Sequence, residues 1–147
     1  MNTIFSKIFL ISGMLLLFST ALSAQAVDCD DEAFLDDCAG QIAGYKFLKA
    51  NKVSITGGKS GQAVELSSVF SNGSTYTLTA CGGGQSMIVT LYDRNRKLIM
   101  TNFNKQNRKF YPSINYKCTA TGVYYFKYEF ESGGAGCGVG IIGFKQN

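Results

Sequence analysis

The chain contains no histidine. That single absence removes Ser-His-Asp and Cys-His catalysis, the HExxH metalloproteases and every imidazole-based metal site. The carboxylates are the next candidates. Glu129 and Glu131 fall on one face of a strand, roughly 6–7 Å apart along it, a separation that glycoside hydrolysis can use. Lys127 shares that face, so the pair also reads as an ordinary solvated strand edge. Asp93 with Asn95 offers oxygen ligands for calcium, but they lie in "DRNRK", a hairpin-turn sequence whose three bases would repel a cation. "GGGQS" at Gly82 is glycine-rich enough to cradle a phosphate, yet neither a strand-to-helix transition nor a P-loop lysine follows it. The five cysteines are spaced 9, 43, 37 and 19 residues apart, without a CxxC knuckle for zinc. These residues predict no enzyme, no metal and no cofactor.

Binding chemistry is better represented. Arg94, Arg96 and Lys97 cluster in one loop, and Lys105, Arg108 and Lys109 in another. Tyr92, Phe103, Tyr111 and Tyr125 are available for stacking on a glycan, although the chain has no tryptophan. Arg94, Arg96, Lys97 and Tyr111 are therefore the candidate ligand-binding residues. Charge is divided along the chain: six acids and no base lie between Asp28 and Asp37, whereas Gly44 to Asn147 carries 13 Lys and Arg against four acids, a balance of +9. A basic body of this kind suits an anionic surface, an acidic glycan or an acidic protein face. Nucleic acid is not expected, because the RNA-binding aromatic signature is missing and the chain carries an export signal.

That signal occupies residues 1–26: Lys7, an apolar run from Ile8 to Phe18, then "ALSAQA" with the small-x-small site Ala24-Gln25-Ala26. Cleavage after Ala26 leaves a chain with no integral membrane segment, in the periplasm or outside the cell. The apolar run is interrupted by Ser12 and Gly13 and is short for a membrane anchor. Cys29 near the cut invites lipidation, but Asp28 precedes it where a lipobox needs a small residue.

The elements that must position these groups follow from periodicity. Residues 27–52 read as an acidic N-terminal helix, with Phe34, Cys38, Ile42 and Tyr45 in one apolar stripe, Asp30 or Asp31 as its cap and a possible break at Gly44. From residue 53 to 147 the period becomes two. Strands are expected at Val53 to Thr56, Ala63 to Phe70, Thr75 to Cys81, Met87 to Asp93, Lys97 to Phe103, Phe110 to Cys118, Val123 to Glu131 and Gly138 to Phe144. In "TYTLTAC", Tyr76, Leu78 and Ala80 face inward and Thr75, Thr77 and Thr79 outward. In "CTATGVYYFKYEF", Tyr124, Phe126, Tyr128 and Phe130 form a wholly aromatic inner face, and the two tyrosine hydroxyls must find partners at the ends of the core. About eight short strands separated by Gly- and Asn-rich turns predict an all-β antiparallel sandwich, a jelly roll, with one amphipathic helix packed on it.

If consecutive strands run up and down, Cys81 and Cys137 meet at one end of the sandwich, both flanked by glycine. The expected bridges are Cys81 to Cys137 and Cys29 to Cys38, leaving Cys118 as a buried free thiol.

The succession "FSNGSTYTLTA", "MIVTLYDRNRKLI", "INYKCTATGVYYFKYEF" and "GVGIIGF", from Ala63 to Phe144, resembles bacterial pre-peptidase C-terminal domains and more distantly the Golgi-dynamics domain. The resemblance implies a small secreted jelly roll with an accessory or binding role and carries no catalytic residue over. The functional expectation is a non-catalytic binding or assembly module with an envelope protein as partner. A glycan-binding module and a small hydrolase using Glu129 and Glu131 are the alternatives.

Overall fold

A computed structural model describes Cys29, residues 31–56 and residues 61–146. The expected signal segment and the candidate cap Asp30 lie outside the described residues. Helix α1 spans Asp31–Ala39 and tightens into a 3₁₀ turn at Gly40–Ile42. Ten strands follow: β1 Lys46–Ile55, β2 Val64–Phe70, β3 Ser74–Gly82, β4 Met87–Tyr92, β5 Leu98–Thr101, β6 Phe103–Asn104, β7 Lys109–Phe110, β8 Ser113–Lys117, β9 Gly122–Phe130 and β10 Gly136–Gln146.

The eight main strands form two antiparallel sheets, in the orders β1-β10-β3-β8 and β2-β9-β4-β5, and β6 pairs with β7 in a small separate hairpin. Main strands consecutive in the chain lie in opposite sheets, except β4 and β5. This is the jelly-roll order of two interlocked Greek keys. One end of the sandwich carries the β1–β2, β3–β4 and β9–β10 connections and the β6–β7 hairpin. The other carries the β2–β3, β4–β5 and β8–β9 turns.

The helix ends earlier than its apolar stripe predicts. Gly44 takes a left-handed conformation (φ 84°) that few other residues tolerate, and the Tyr45 N–H donates to the Ile42 carbonyl at 3.0 Å to close the turn. Beyond it, Lys46 to Lys52 belong to β1 and not to the helix, because β1 pairs with β10 from Lys46↔Phe144 to Ile55↔Gly136. Ladder pairing along a whole strand outweighs the modest helix propensity of "YKFLKANK".

The core confirms the inner face of β9. Tyr124, Phe126, Tyr128 and Phe130 are buried, stacked with Val53, Leu78, Val89, Leu91 and Ile142 from the other strands. Phe70 lies between Tyr76 and Tyr124, with ring centroids 3.7 and 5.1 Å away. Burial of each such ring stabilises the fold by roughly 1.5–3 kcal/mol. Room for them comes from β10, where Gly136, Gly138 and Gly140 occupy the inward positions. A Cβ on Gly140 would sit 2.2 Å from the Tyr128 ring, and one on Gly136 2.6 Å from the Phe130 ring.

The tyrosine hydroxyls fare differently from expectation. Tyr124 donates to the Ala120 carbonyl at 2.9 Å, but Tyr128 is fully buried in mid-core and its hydroxyl has no hydrogen-bond partner among the described residues. Burial pushes its phenol pKa up, opposed in part by the neighbouring Asn51 side chain. The Asn51 amide nitrogen is itself unpaired.

A second apolar cluster lies outside the sandwich. Cys38 and Ile42, with Phe34 and Leu35 beside them, pack on Val139 and Ile141, on the outer face of the β1-β10-β3-β8 sheet. This explains why Thr77 and Thr79 face outward yet are completely buried: helix and 3₁₀ turn cover their side of the sheet, and Thr79 donates to the Pro112 carbonyl at 2.9 Å.

The bridges that hold the helix are Cys29–Cys137 and Cys38–Cys81, with Cα separations of 5.6 and 5.8 Å. The expected pairing, Cys81 with Cys137 and Cys29 with Cys38, is therefore corrected. Cys81 and Cys137 do lie at the same end and on the same outer face, but Cys81 stands opposite Val139, two residues from Cys137. Diagonal neighbours of that kind are about 7–8 Å apart, too far to bridge, so each turns to a cysteine of the helical segment above it. Cys118 is free and buried. Two disulfides are the chemistry of an oxidising compartment. Among the described residues no helix is long and apolar enough to cross a membrane.

Candidate interaction surface

The two outer faces of the sandwich differ. One carries the disulfide-held helix over β10 and β3. Over the other, on β2-β9-β4-β5, no helix packs among the described residues, and the β6–β7 hairpin lies at one end, beside the buried outward residues Ile88 and Thr90 and with Arg108 paired to Glu131. Outward residues there come from the odd positions of β2 and β9 and the even positions of β4. Val69 and Val123 stand opposite each other in the ladder and are 62% and 39% exposed, an apolar pair at the surface. Beside them the Arg96 guanidinium lies over the Tyr125 ring, 3.7 Å from its centroid, and pairs with Glu65 of the edge strand. Lys127 and Glu129 form a second ion pair at 2.5 Å. The hydrogen bond to Glu129 raises the Lys127 pKa against the opposing effect of burial.

The β4–β5 turn projects from one end of this face. Asp93 organises it: its carboxylate accepts from the backbone N–H groups of Asn95 and Lys97 at 2.8 and 2.9 Å, and its N–H donates to the Lys97 carbonyl. The Asp93 carboxylate is thereby committed to the turn, as the turn reading of "DRNRK" requires. Among the described residues no group of three His, Cys, Asp or Glu side chains could hold a metal ion. Arg96 adopts a left-handed φ of 63°. Arg94 and Lys97 are exposed and make no ion pair among the described residues.

A cleft of about 190 Å³ separates this turn from the β8–β9 turn, with Arg94 and Asn95 on one wall and Thr121 and Val123 on the other. Its second wall is rigid. The Asn72 N–H donates to Thr121 Oγ1 at 2.9 Å, the Gly73 N–H to the Cys118 carbonyl at 2.9 Å, and the Cys118 thiol to the Ala120 carbonyl at 3.2 Å. The Tyr116 hydroxyl donates to Tyr124 at 3.3 Å. Burial, then the contacts with the titratable Tyr116 and Cys118 side chains, push the Tyr124 phenol up.

Of the four residues expected to bind ligand, Arg94, Arg96 and Lys97 are together in this turn, whereas Tyr111 lies at the opposite end of the sandwich, beyond the β6–β7 hairpin. The hairpin bases Lys105, Arg108 and Lys109 lie at that opposite end too. The stacking candidates do not form a row: Phe103 packs on Phe110 at 4.4 Å, Tyr125 is capped by Arg96, and Tyr111 alone of the four is exposed. Glu129 and Glu131 each pair with a base, Lys127 and Arg108 respectively. Val69 and Val123 escape a search for charged or aromatic motifs. Their signal is an apolar residue at the outward position of a strand whose other outward residues are polar.

No protein-family model matches this sequence, and no curated protein matches it. The fold is shared with the crystal structure of PliG from Aeromonas hydrophila, a periplasmic lysozyme inhibitor of g-type lysozyme. The two align with a TM-score of 0.52 over 69% of this chain and 89% of that one, at 13% sequence identity. At that identity the likeness establishes the fold: the chain is a jelly-roll sandwich of the kind found in that inhibitor.

Proposed function

We propose that the chain is a non-catalytic protein-binding module of the cell envelope, which engages its partner through the outer face of β2-β9-β4-β5 and the Asp93–Lys97 turn. The observation that carries this reading is the asymmetry of the sandwich. Two disulfides commit one outer face to the helix, and the other presents an apolar valine pair near the end of its ladder, flanked on one side by an Arg–Tyr stack and ion pairs. Exposed apolar side chains beside aromatic and arginine groups are the raw material of a protein interface. The PliG fold supports it, since that protein's stated activity is inhibition of another protein in the periplasm.

The finer reading takes its partner class from the same neighbour: a lysozyme or similar glycosidase. Such enzymes work with paired carboxylates in a cleft, and Arg94 is an exposed base at the tip of a structured turn. The test is inhibition of g-, c- and i-type lysozymes by the signal-processed protein, run beside a cross-linking pull-down from native envelopes. Arg94→Glu and Val69→Asp should each weaken partner capture or inhibition at least tenfold, about 1.4 kcal/mol, while Lys117→Glu, on the other sheet, should not. Full binding by both face variants would refute the assignment of the surface.

A further inference from the structure

A second cavity, of about 360 Å³, opens at the end of the sandwich opposite the Asp93–Lys97 turn, where β3 leads into β4. Its volume falls in the lower range of small-molecule sites. It is lined without a single charged side chain, although Lys105, Arg108 and Lys109 lie in the neighbouring hairpin. The lining groups that carry chemistry are the amides of Gln41, Gln85 and Asn102, the hydroxyl of Ser86 and the ring of Tyr111.

These groups are held in place. Asn102, 2% exposed, accepts from the Val89 N–H through Oδ1 at 2.8 Å and donates through Nδ2 to the Met87 carbonyl at 3.2 Å. Its own carbonyl accepts from the Tyr111 N–H at 2.8 Å. Tyr111 is thus tied by its backbone to the start of β4 while its side chain remains 43% exposed. Gln85 accepts from the Ser132 hydroxyl at 3.1 Å and donates to the Ala135 carbonyl at 3.3 Å. The Gln41 side-chain amide lies against Thr79 Oγ1, whose proton goes to the Pro112 carbonyl, and donates to Cys81 Sγ. A primary amide offers two donors and two lone pairs, so Gln41 and Gln85 keep unused capacity after being oriented.

We propose that this cavity binds a neutral saccharide unit, with a sugar ring stacked on Tyr111 and its hydroxyl or acetamido groups paired with Gln41, Gln85 and Ser86. An exposed aromatic ring supplies the flat apolar surface that sugar C–H groups cover. Fixed amides and a hydroxyl supply both donors and acceptors, and the lining itself is uncharged; the Lys109 ammonium stands over the Tyr111 ring, 5.3 Å from its centroid, outside that lining. The site is separate from the protein-binding face and does not depend on it.

The experiment is an amide-resolved NMR titration of the signal-processed protein with tri-N-acetylchitotriose, cellotriose and trigalacturonate. Saturable shifts at Gln85, Ser86 and Tyr111 with a neutral probe, at millimolar concentration or below, are expected. Tyr111→Ala and Gln85→Ala should each weaken binding at least fivefold, with the rest of the spectrum reporting an intact fold. Val69→Asp should leave the titration unchanged, which separates this site from the protein-binding face. The proposal is overturned if no neutral probe gives a saturable shift, if only trigalacturonate binds, or if both cavity variants bind as the parent does.

Discussion

Replacing Gly140 by alanine tests whether the glycines of β10 are a packing device. Gly140 stands opposite Asn51 on β1 and Ala80 on β3, so its strand is paired on both sides and cannot shift without disturbing two ladders. The new Cβ would lie 2.2 Å from Cζ, 2.3 Å from the hydroxyl oxygen and 2.4 Å from Cε1 of Tyr128, where ordinary contact begins at 3.4 Å. Tyr128 is wholly buried and edge-packed on Phe126, so its ring has no exit. Overpacking of a tight core costs about 1–3 kcal/mol; an overlap of three ring atoms belongs at the upper end. Loss of glycine's flexibility in the unfolded chain offsets about 0.4–1 kcal/mol. The expected net loss is about 2–3 kcal/mol, or roughly 10 °C in Tm for a domain of this size. Urea unfolding followed by circular dichroism, with the disulfides intact, measures it. Gly122→Ala is the control, because a Cβ there meets nothing within 4 Å. Tyr128→Leu should relieve part of the loss in the double variant. A Gly140→Ala protein as stable as Gly122→Ala would refute the packing account.

Alkaline stability should depend on Tyr128. Burial raises its phenol pKa above the ordinary 10.0, so above pH 10 the unfolded chain gives up a proton that the folded one keeps. Stability then falls as pH rises, by about 1.4 kcal/mol per pH unit for this group, and is unaffected by it below that range. Tyr128→Phe should remove this slope and, at neutral pH, leave stability equal or higher by up to about 1 kcal/mol, because an unpaired buried hydroxyl is lost; an unchanged slope in urea titrations counts against it. Peptide mapping without reduction should recover Cys29 with Cys137 and Cys38 with Cys81, and Cys118 should resist alkylation until the protein unfolds. A Cys29–Cys38 peptide would overturn the clamp. Replacing Cys38 and Cys81 by serine should cost about 4 kcal/mol on the chain-entropy account.

The strands were legible because each buries one face, so period two survives in the sequence: Tyr76 and Leu78, or Tyr124 through Phe130, announce the core without any partner being known. What was not legible depends on which strands become neighbours. Lys46 to Lys52 carry no clear alternation, and β10 makes them a strand. The outward threonines of β3 look solvent-facing until the helix is placed above them. The position of Cys81 relative to Cys137 needed a register, and a two-residue offset was enough to redirect both bridges. At the surface, the turn around Asp93 could be read from its own residues. Its separation from Tyr111 and its continuity with Val69 and Val123 could not, since both depend on how the sheets stack.

The clamp on helix α1 also orders events in time. The chain is made from its N-terminus, yet Cys29 pairs with Cys137, 108 residues later, and β10, the last strand among the described residues, lies between β1 and β3. Cys38 can meet Cys81 while the C-terminal part is still absent, but Cys29 must wait, and until Cys38 is taken it is a nearer and incorrect thiol. Productive maturation on this order runs through a species that holds one bridge and an incomplete sheet, and a premature Cys29–Cys38 bond is undone by thiolate attack in thiol–disulfide exchange. Thiol exchange in the same compartment is, on this view, what lets the late bridge correct an early mistake.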